Sequence, residues 1–192
     1  MISVRIGGAA VRIHFSFFVF NALIFLMRSS SLILSFYGVC LLHEAGHLAA
    51  LKLTGGRISS VDISGAGAVI DTRKGGIATA KNRLIVLLAG PAANIFVFLI
   101  LNLLGCHGKF PHLSLIAAVY NMMPYHSLDG GAIIALFSVG TAYERSVNSI
   151  LTALKLLIIA VSAVAAYHLG RESFPLFAAS LALFTGDTAH RR

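Results

Sequence analysis

Long apolar runs separated by short charged stretches dominate this chain. They occupy roughly residues 11–27, 31–53, 84–104, 113–139 and 147–169. Each is near the ~20 residues at which an α-helix crosses a hydrocarbon layer about 30 Å thick. The fourth run is interrupted by Asn121-Met-Met-Pro124 and Asp129-Gly-Gly131, since proline breaks a helix and glycine admits turns that other residues resist. The fifth contains Lys155, whose long stem can snorkel toward a polar edge. Residues 174–184 form a shorter apolar segment, read either as a sixth span extended by its flanks or as an interfacial helix. Between residues 54 and 83 the period changes. Residues 57–71 alternate apolar and polar around a glycine-bearing turn, the pattern of a β-hairpin. The predicted fold class is an all-α polytopic membrane protein of about six transmembrane helices, with a small membrane-associated β-hairpin between helices 2 and 3. Residues 1–192 are expected to form one membrane-embedded domain, with its core within 12–137 and helices 5 and 6 in 147–185.

Composition sharpens this reading. Hydrophobic residues make up 57% of the chain and charged residues 11%, against roughly 25% charged in soluble domains. A water-facing surface cannot be built from so few charges, so lipid is the expected solvent. The net charge of +8 first suggests nucleic acid, but the basic residues sit singly or in pairs between apolar runs, without a cluster or interleaved aromatics. No nucleic-acid partner is expected. Arg5, Arg12, Arg57, Arg73, Lys74, Lys81, Arg83 and Arg145 fall on one side of the spans, and only Arg28 and Lys109 on the other before the last segment. Positive charge gathers on the cytoplasmic side, which places the N-terminus and the hairpin loop in the cytoplasm. The protein is thus expected in the cytoplasmic membrane if bacterial. No cleavable leader is expected. Cys40 and Cys106 form no metal or disulfide pattern, and Cys40, three residues before His43, reads as a small apolar residue.

The chemistry begins at His43-Glu44-Ala-Gly-His47, inside the second run. Helical residues four apart share one face, so both imidazoles can reach one ion. Glu44, at an adjacent angle, can approach a water bound there. This spacing is the zincin arrangement, and neutral imidazole suits zinc. Ionisable residues at mid-bilayer cost about 2.5–3.5 kcal/mol each, and a bound metal compensates them. A buried His–Glu–His hydrogen-bond network is the bland alternative. Catalytic zinc needs a third protein ligand and an open position. Asp129 is the favoured third ligand because it lies in the interrupted span, and broken helix at membrane depth is tolerated only where protein buries it or it lines a cavity.

Three segments together resemble the signatures of the site-2 protease family of intramembrane zinc metalloproteases. They are His43-Glu-Ala-Gly-His47, Gly90-Pro91-Ala-Ala-Asn94 and Asn121-Met-Met-Pro124-Tyr-His-Ser-Leu-Asp129-Gly-Gly131, and the similarity covers roughly residues 12–137. The compact N-terminal layout is similar to the branch containing the sporulation stage IV factor B protease. The resemblance implies one Zn2+ per chain held by His43, His47 and Asp129, Glu44 as general base, and Asn121 positioning substrate or polarising its carbonyl. It implies a single-span or membrane-tethered protein substrate within the bilayer, with room for an inhibitory membrane partner. Ser127 stands where the family often has a second proline, which puts the local bend in doubt but removes no ligand. No nucleotide-sensing domain and no PDZ-like insertion are expected. Asn94 and Gly90-Pro91 read as mainly structural. His126, three residues before Asp129, reads as more often bland than site-associated.

Two other functions remain open on sequence grounds. One is a membrane-anchored zincin cutting soluble or misfolded segments, which would take a later glutamate, Glu144 or Glu172, as third ligand. The other is a metal-ion transporter, in which intramembrane histidines and acids are also expected but a glutamate beside the first histidine is not required.

Overall fold

The computed structural model describes residues 2–6, 9–13, 30–56, 58, 60–64, 67–71, 79–125 and 128–169, with positions 15, 18, 180, 181 and 184. Within these, four strands and five helices follow in the order β1 (Ile2–Ile6), β2 (Ala9–Ile13), α1 (Ser30–Leu53), β3 (Ser60–Ser64), β4 (Gly67–Asp71), α2 (Ala80–Leu103), α3 (Lys109–Asn121), α4 (Asp129–Ser138) and α5 (Glu144–Leu169). The chain divides into two compact units, Met1–Val119 and Tyr120–Arg192.

In the first unit the strands form one sheet in the order β1-β2-β3-β4. The expected hairpin is present as β3 and β4, paired antiparallel from Ser60↔Asp71 to Ser64↔Gly67. It is only half of the sheet. Residues 11–13, read from sequence as the start of the first span, instead belong to β2, which pairs antiparallel with β1 from Ile2↔Ile13 to Ile6↔Ala9. The physical reason is the alternation Ile-Ser-Val-Arg-Ile on one side of Gly7-Gly8 and Val-Arg-Ile on the other, a period of two with β-branched residues that favours strands. Parallel pairing of β2 with β3, from Ala10↔Ser60 to Ile13↔Ile63, joins the two hairpins. Parallel neighbours need a long crossover, and α1 lies within that connection. Arg12 adds a cross-strand bond, donating from Nη2 to Ser60 Oγ at 3.1 Å. The remainder of the expected first span lies mostly outside the described residues.

Helices α1, α2 and α5 contain stretches of 21, 24 and 25 residues that are long and apolar enough to cross a membrane (Ile33–Leu53, Ala80–Leu103 and Glu144–His168). The expected second, third and fifth spans are therefore helical. The fourth is two helices, α3 and α4, with the break at the predicted interruption. Six spanning helices are not seen among the described residues. The expected sixth segment falls outside them except at 180, 181 and 184, where Ser180 Oγ and Ser162 Oγ of α5 share a hydrogen bond of 2.9 Å.

The surfaces of these helices invert the pattern of a soluble protein. Large apolar side chains stand exposed, such as Leu34, Leu53, Phe96, Leu103 and Ile150, while His43, Asn94, Ser114 and Lys155 are buried. In water that arrangement exposes apolar area and desolvates polar groups, both unfavourable. In lipid the apolar exposure costs nothing, and intramembrane polar residues turn inward to find partners. The fold is that of a mostly helical membrane protein.

Candidate metal centre

Helix α1 buries a stripe through Val39, His43 and Ala50, spaced as one helical face. Against it α2 presents Gly90, Pro91 and Asn94, all buried. The two helices approach closely because the facing residues are small. A Cβ placed on Gly46 meets the Ala89 carbonyl oxygen at 2.5 Å and the Ala93 Cβ at 2.9 Å. Gly46, between Ala45 and His47, is therefore a packing requirement, because only glycine there lets α2 lie this near.

That approach sets both imidazoles against α2. His43 Nε2 and His47 Nε2 stand 3.1 Å apart, with the rings edge to face at 4.7 Å between centroids. Each outer nitrogen is held by α2. His47 Nδ1 lies 2.7 Å from the Val86 carbonyl oxygen, and His43 Nδ1 lies 3.2 Å from Asn94 Nδ2. A carbonyl only accepts, so a neutral His47 carries its proton on Nδ1 and turns the Nε2 lone pair inward. Gly90 completes the cradle: a Cβ there overlaps His47 Nε2 and comes within 2.6 Å of His47 Cε1 and 2.9 Å of His43 Cε1. Pro91, one residue on, lacks the N–H that would bond back along α2, which leaves carbonyl capacity in this turn.

This half-site fits a zinc ion. Two nitrogens at ~2.0–2.1 Å from one tetrahedral centre stand about 3.3 Å apart, close to the observed separation of the Nε2 atoms. Zinc-binding histidines hold their outer nitrogen on a carbonyl or similar group, and His47 Nδ1 lies on the Val86 carbonyl in that way. At His43 the fit shows in an orphaned atom: Asn94 Oδ1 is buried and accepts no hydrogen bond among the described residues.

Glu44 follows His43 on α1 and is half-buried. Cys40 lies one turn before Glu44 and is exposed. In the second unit, Asp129 is the first residue of α4, where the partial positive charge of a helix N-terminus favours a carboxylate. The backbone before it is a compact turn, with Tyr125 N–H donating to Met123 O and Leu128 N–H to Tyr125 O, each at 2.9 Å. A Cβ on Gly130 would overlap the Met122 carbonyl oxygen, so the residue after Asp129 must be glycine for the turn to close. Tyr125 is fully buried, and Lys155 Nζ of α5 lies over its ring, 5.5 Å from the centroid. A cavity of about 290 Å3 separates α4 from α5, lined by Pro124, Gly131, Ser138, Glu144, Asn148 and Lys155 among others. Asn121 ends α3, half-buried, just before the break.

Of the rival ligands, Glu144 is engaged in a turn, its Oε2 accepting from the Gly140 N–H at 2.8 Å. Glu172, His126 and His190 lie outside the described residues. His107 and His112 are exposed and bond to Asn102 Oδ1 and the Gly108 carbonyl, at 3.0 and 2.8 Å. The residue whose part sequence reasoning understated is Asn94. An amide in the middle of an apolar span is costly without a partner, and that cost was the available signal.

Among solved structures, a site-2 protease from Methanocaldococcus jannaschii has a similar fold, with a TM-score of 0.65 and 20% sequence identity, covering 100% of this chain and 95% of that one. No family model and no curated protein matches the sequence.

Proposed function

We propose that the chain is a zinc metalloendopeptidase of the site-2 protease kind, hydrolysing a peptide bond in or near a transmembrane segment of a membrane-tethered protein. One observation carries this reading: two imidazoles with converging Nε2 atoms, 3.1 Å apart, on a helix apolar enough to cross a membrane. The similarity of fold to a site-2 protease supports it.

The three ligands would be His43, His47 and Asp129, as the resemblance of their motifs implies. Two imidazoles and one carboxylate form a donor set that leaves zinc an open position. Zinc held there supplies Lewis-acid polarisation of the scissile carbonyl and lowers the pKa of water toward about 7. Glu44 takes the proton from the attacking water as its oxygen bonds to the carbonyl carbon. It then delivers that proton to the amine nitrogen as the C–N bond breaks, a general-base then general-acid role. Asn121 holds the substrate carbonyl. The cavity beside Pro124 and Gly131 is the setting in which broken backbone is tolerated at membrane depth.

A transmembrane helix hides its carbonyls in its own hydrogen bonds, so substrate must be unwound before cleavage. In the sheet order β1-β2-β3-β4, β3 is flanked on both sides and β4 is terminal. The outer edge of β4 is the place where an extended substrate segment adds as a further strand.

The test is to purify the protein in detergent, measure zinc per chain, and assay wild type, Glu44→Gln and Asp129→Ala on a panel of single-span substrates. About one zinc per chain is expected, with cleavage lost in Glu44→Gln while metal remains, and metal weakened in Asp129→Ala. Normal zinc in Asp129→Ala sinks the ligand assignment and revives the membrane-anchored zincin. A Glu44→Gln protein that still moves metal across vesicles, with no cleavage by wild type, replaces the protease by a transporter.

A further inference from the structure

We propose that Asn94 selects the tautomer of His43, its carboxamide turning end for end between the metal-free and the metal-loaded protein. The inference rests on the zinc reading for its second state and on hydrogen-bond balance alone for its first.

In the metal-free state the direction of each bond follows from its neighbour. Val86 O can only accept, so a neutral His47 is protonated on Nδ1 and its Nε2 is an acceptor. His43 Nε2, 3.1 Å away, is then the donor. A neutral His43 with its proton on Nε2 carries a lone pair on Nδ1, which accepts from Asn94 Nδ2 at 3.2 Å. The result is a one-way chain from Asn94 through His43 and His47 to Val86, with Asn94 Oδ1 buried and, among the described residues, unused.

A cation between the rings needs both Nε2 lone pairs. His43 must therefore lose its proton from Nε2 and gain one on Nδ1, with no net change in protonation. That Nδ1–H would then face an N–H of Asn94. Turning the amide by half a rotation presents Oδ1 instead, and the orphaned acceptor gains a donor. Oxygen and NH2 ends of a carboxamide have nearly the same shape, so a fully buried side chain can make this exchange without repacking. Leucine offers the same bulk with no partner, whereas aspartate accepts in both orientations. Asn94 is thus a positioning residue acting on zinc through His43.

The experiment is nitrogen-15 NMR of imidazole-labelled protein in detergent, without metal and with zinc, for wild type, Asn94→Asp and Asn94→Leu, with signals assigned by substituting individual histidines. In wild type, His43 should be protonated on Nε2 without metal and on Nδ1 with zinc. In Asn94→Asp it should be protonated on Nδ1 in both states, with zinc affinity kept. Asn94→Leu should mix tautomers, bind zinc about 10–100-fold more weakly, and alter the visible spectrum of the cobalt-substituted protein. An unchanged His43 tautomer between the two wild-type states overturns the proposal, as does full zinc affinity with an unaltered cobalt spectrum in Asn94→Leu. Should Asn94→Leu fail to fold, wild type and Asn94→Asp decide the matter. A wild type that binds no zinc fells the protease reading and the two-state exchange. Tautomer selection is still judged then from the metal-free spectra: Nε2–H in wild type against Nδ1–H in Asn94→Asp supports it, and identical tautomers refute it.

Discussion

Replacing Gly90 by alanine isolates the metal site from the fold better than any ligand substitution. The new methyl overlaps His47 Nε2 and sits 2.6 Å from His47 Cε1, where ordinary contact begins near 3.4 Å. The imidazole must therefore retreat by about 0.8 Å, the difference between those distances. Ligand distances in a working zinc site are held within about 0.2 Å, so the displacement is several times the tolerance. Loss of a group that orients a ligand costs about 10–100-fold in metal affinity, and a direct push on both rings should reach at least the upper end. The fold should not suffer equally, because alanine is favoured over glycine in a helix interior by about 1 kcal/mol. Zinc affinity is measured by competition with a chromophoric chelator, and stability by thermal unfolding of the metal-free protein. A Gly90→Ala protein that binds zinc as tightly as wild type would show that the imidazoles do not converge against α2 as described.

Three further outcomes are expected. Dialysis against a strong chelator should abolish cleavage, and stoichiometric zinc should restore it, as read by substrate processing on gels; activity surviving complete metal removal rejects metal-assisted hydrolysis. Gly130→Ala drives a methyl against the Met122 carbonyl, which is backbone and cannot swing away. It should destabilise by about 1–3 kcal/mol in denaturant unfolding and weaken zinc by moving Asp129, and unchanged stability would mean that the turn is looser than drawn. Proline at alternate positions within β4 removes outward N–H groups from one alternation only. Cleavage should fall in that set with zinc content intact, and full activity in every variant rules out strand addition at this edge.

The pairing of His43 with His47 on one helical face, the break in the fourth run and the helical character of runs two, three and five were legible because each has a strong local signature. His43 and His47 share a face through spacing alone. Pro124 and Gly130-Gly131 announce a break in any apolar run. The N-terminal hairpin was not legible: Val11-Arg12-Ile13 leads directly into an apolar stretch, and a short apolar piece cannot be assigned to helix or strand by period when a longer run follows. Only its pairing to Ile2–Ile6 and to β3, where Ser60 lies 50 residues beyond its partner Ala10, decides it. Asn94 was legible as part of the second resembling segment and read there as structural. Its partner, His43, lies 51 residues away, and no local pattern links an amide on one helix to the outer nitrogen of an imidazole on another. Gly46 is similar: the zinc motif leaves that position free, and the need for glycine arises only from Ala89 and Ala93 across the helix pair.

These particulars share one cause. In water, hydrophobic burial drives helices together, whereas in lipid the tails are as apolar as leucine and association rests on close packing and polar contacts. The α1–α2 pair uses both. Gly46 against Ala89 and Ala93 supplies backbone proximity, and His47 to Val86 with His43 to Asn94 supplies two interhelical bonds. The same two bonds hold the outer nitrogens of the proposed zinc ligands. The contacts that bring the helices together are therefore the contacts that aim the imidazoles, so a rearrangement that loosened the pair would also misalign the site. Gly46, beside His47 on α1, admits α2, and Gly90, across the contact on α2, admits the two imidazoles: in this solvent, packing and ligand geometry are set by the same few atoms.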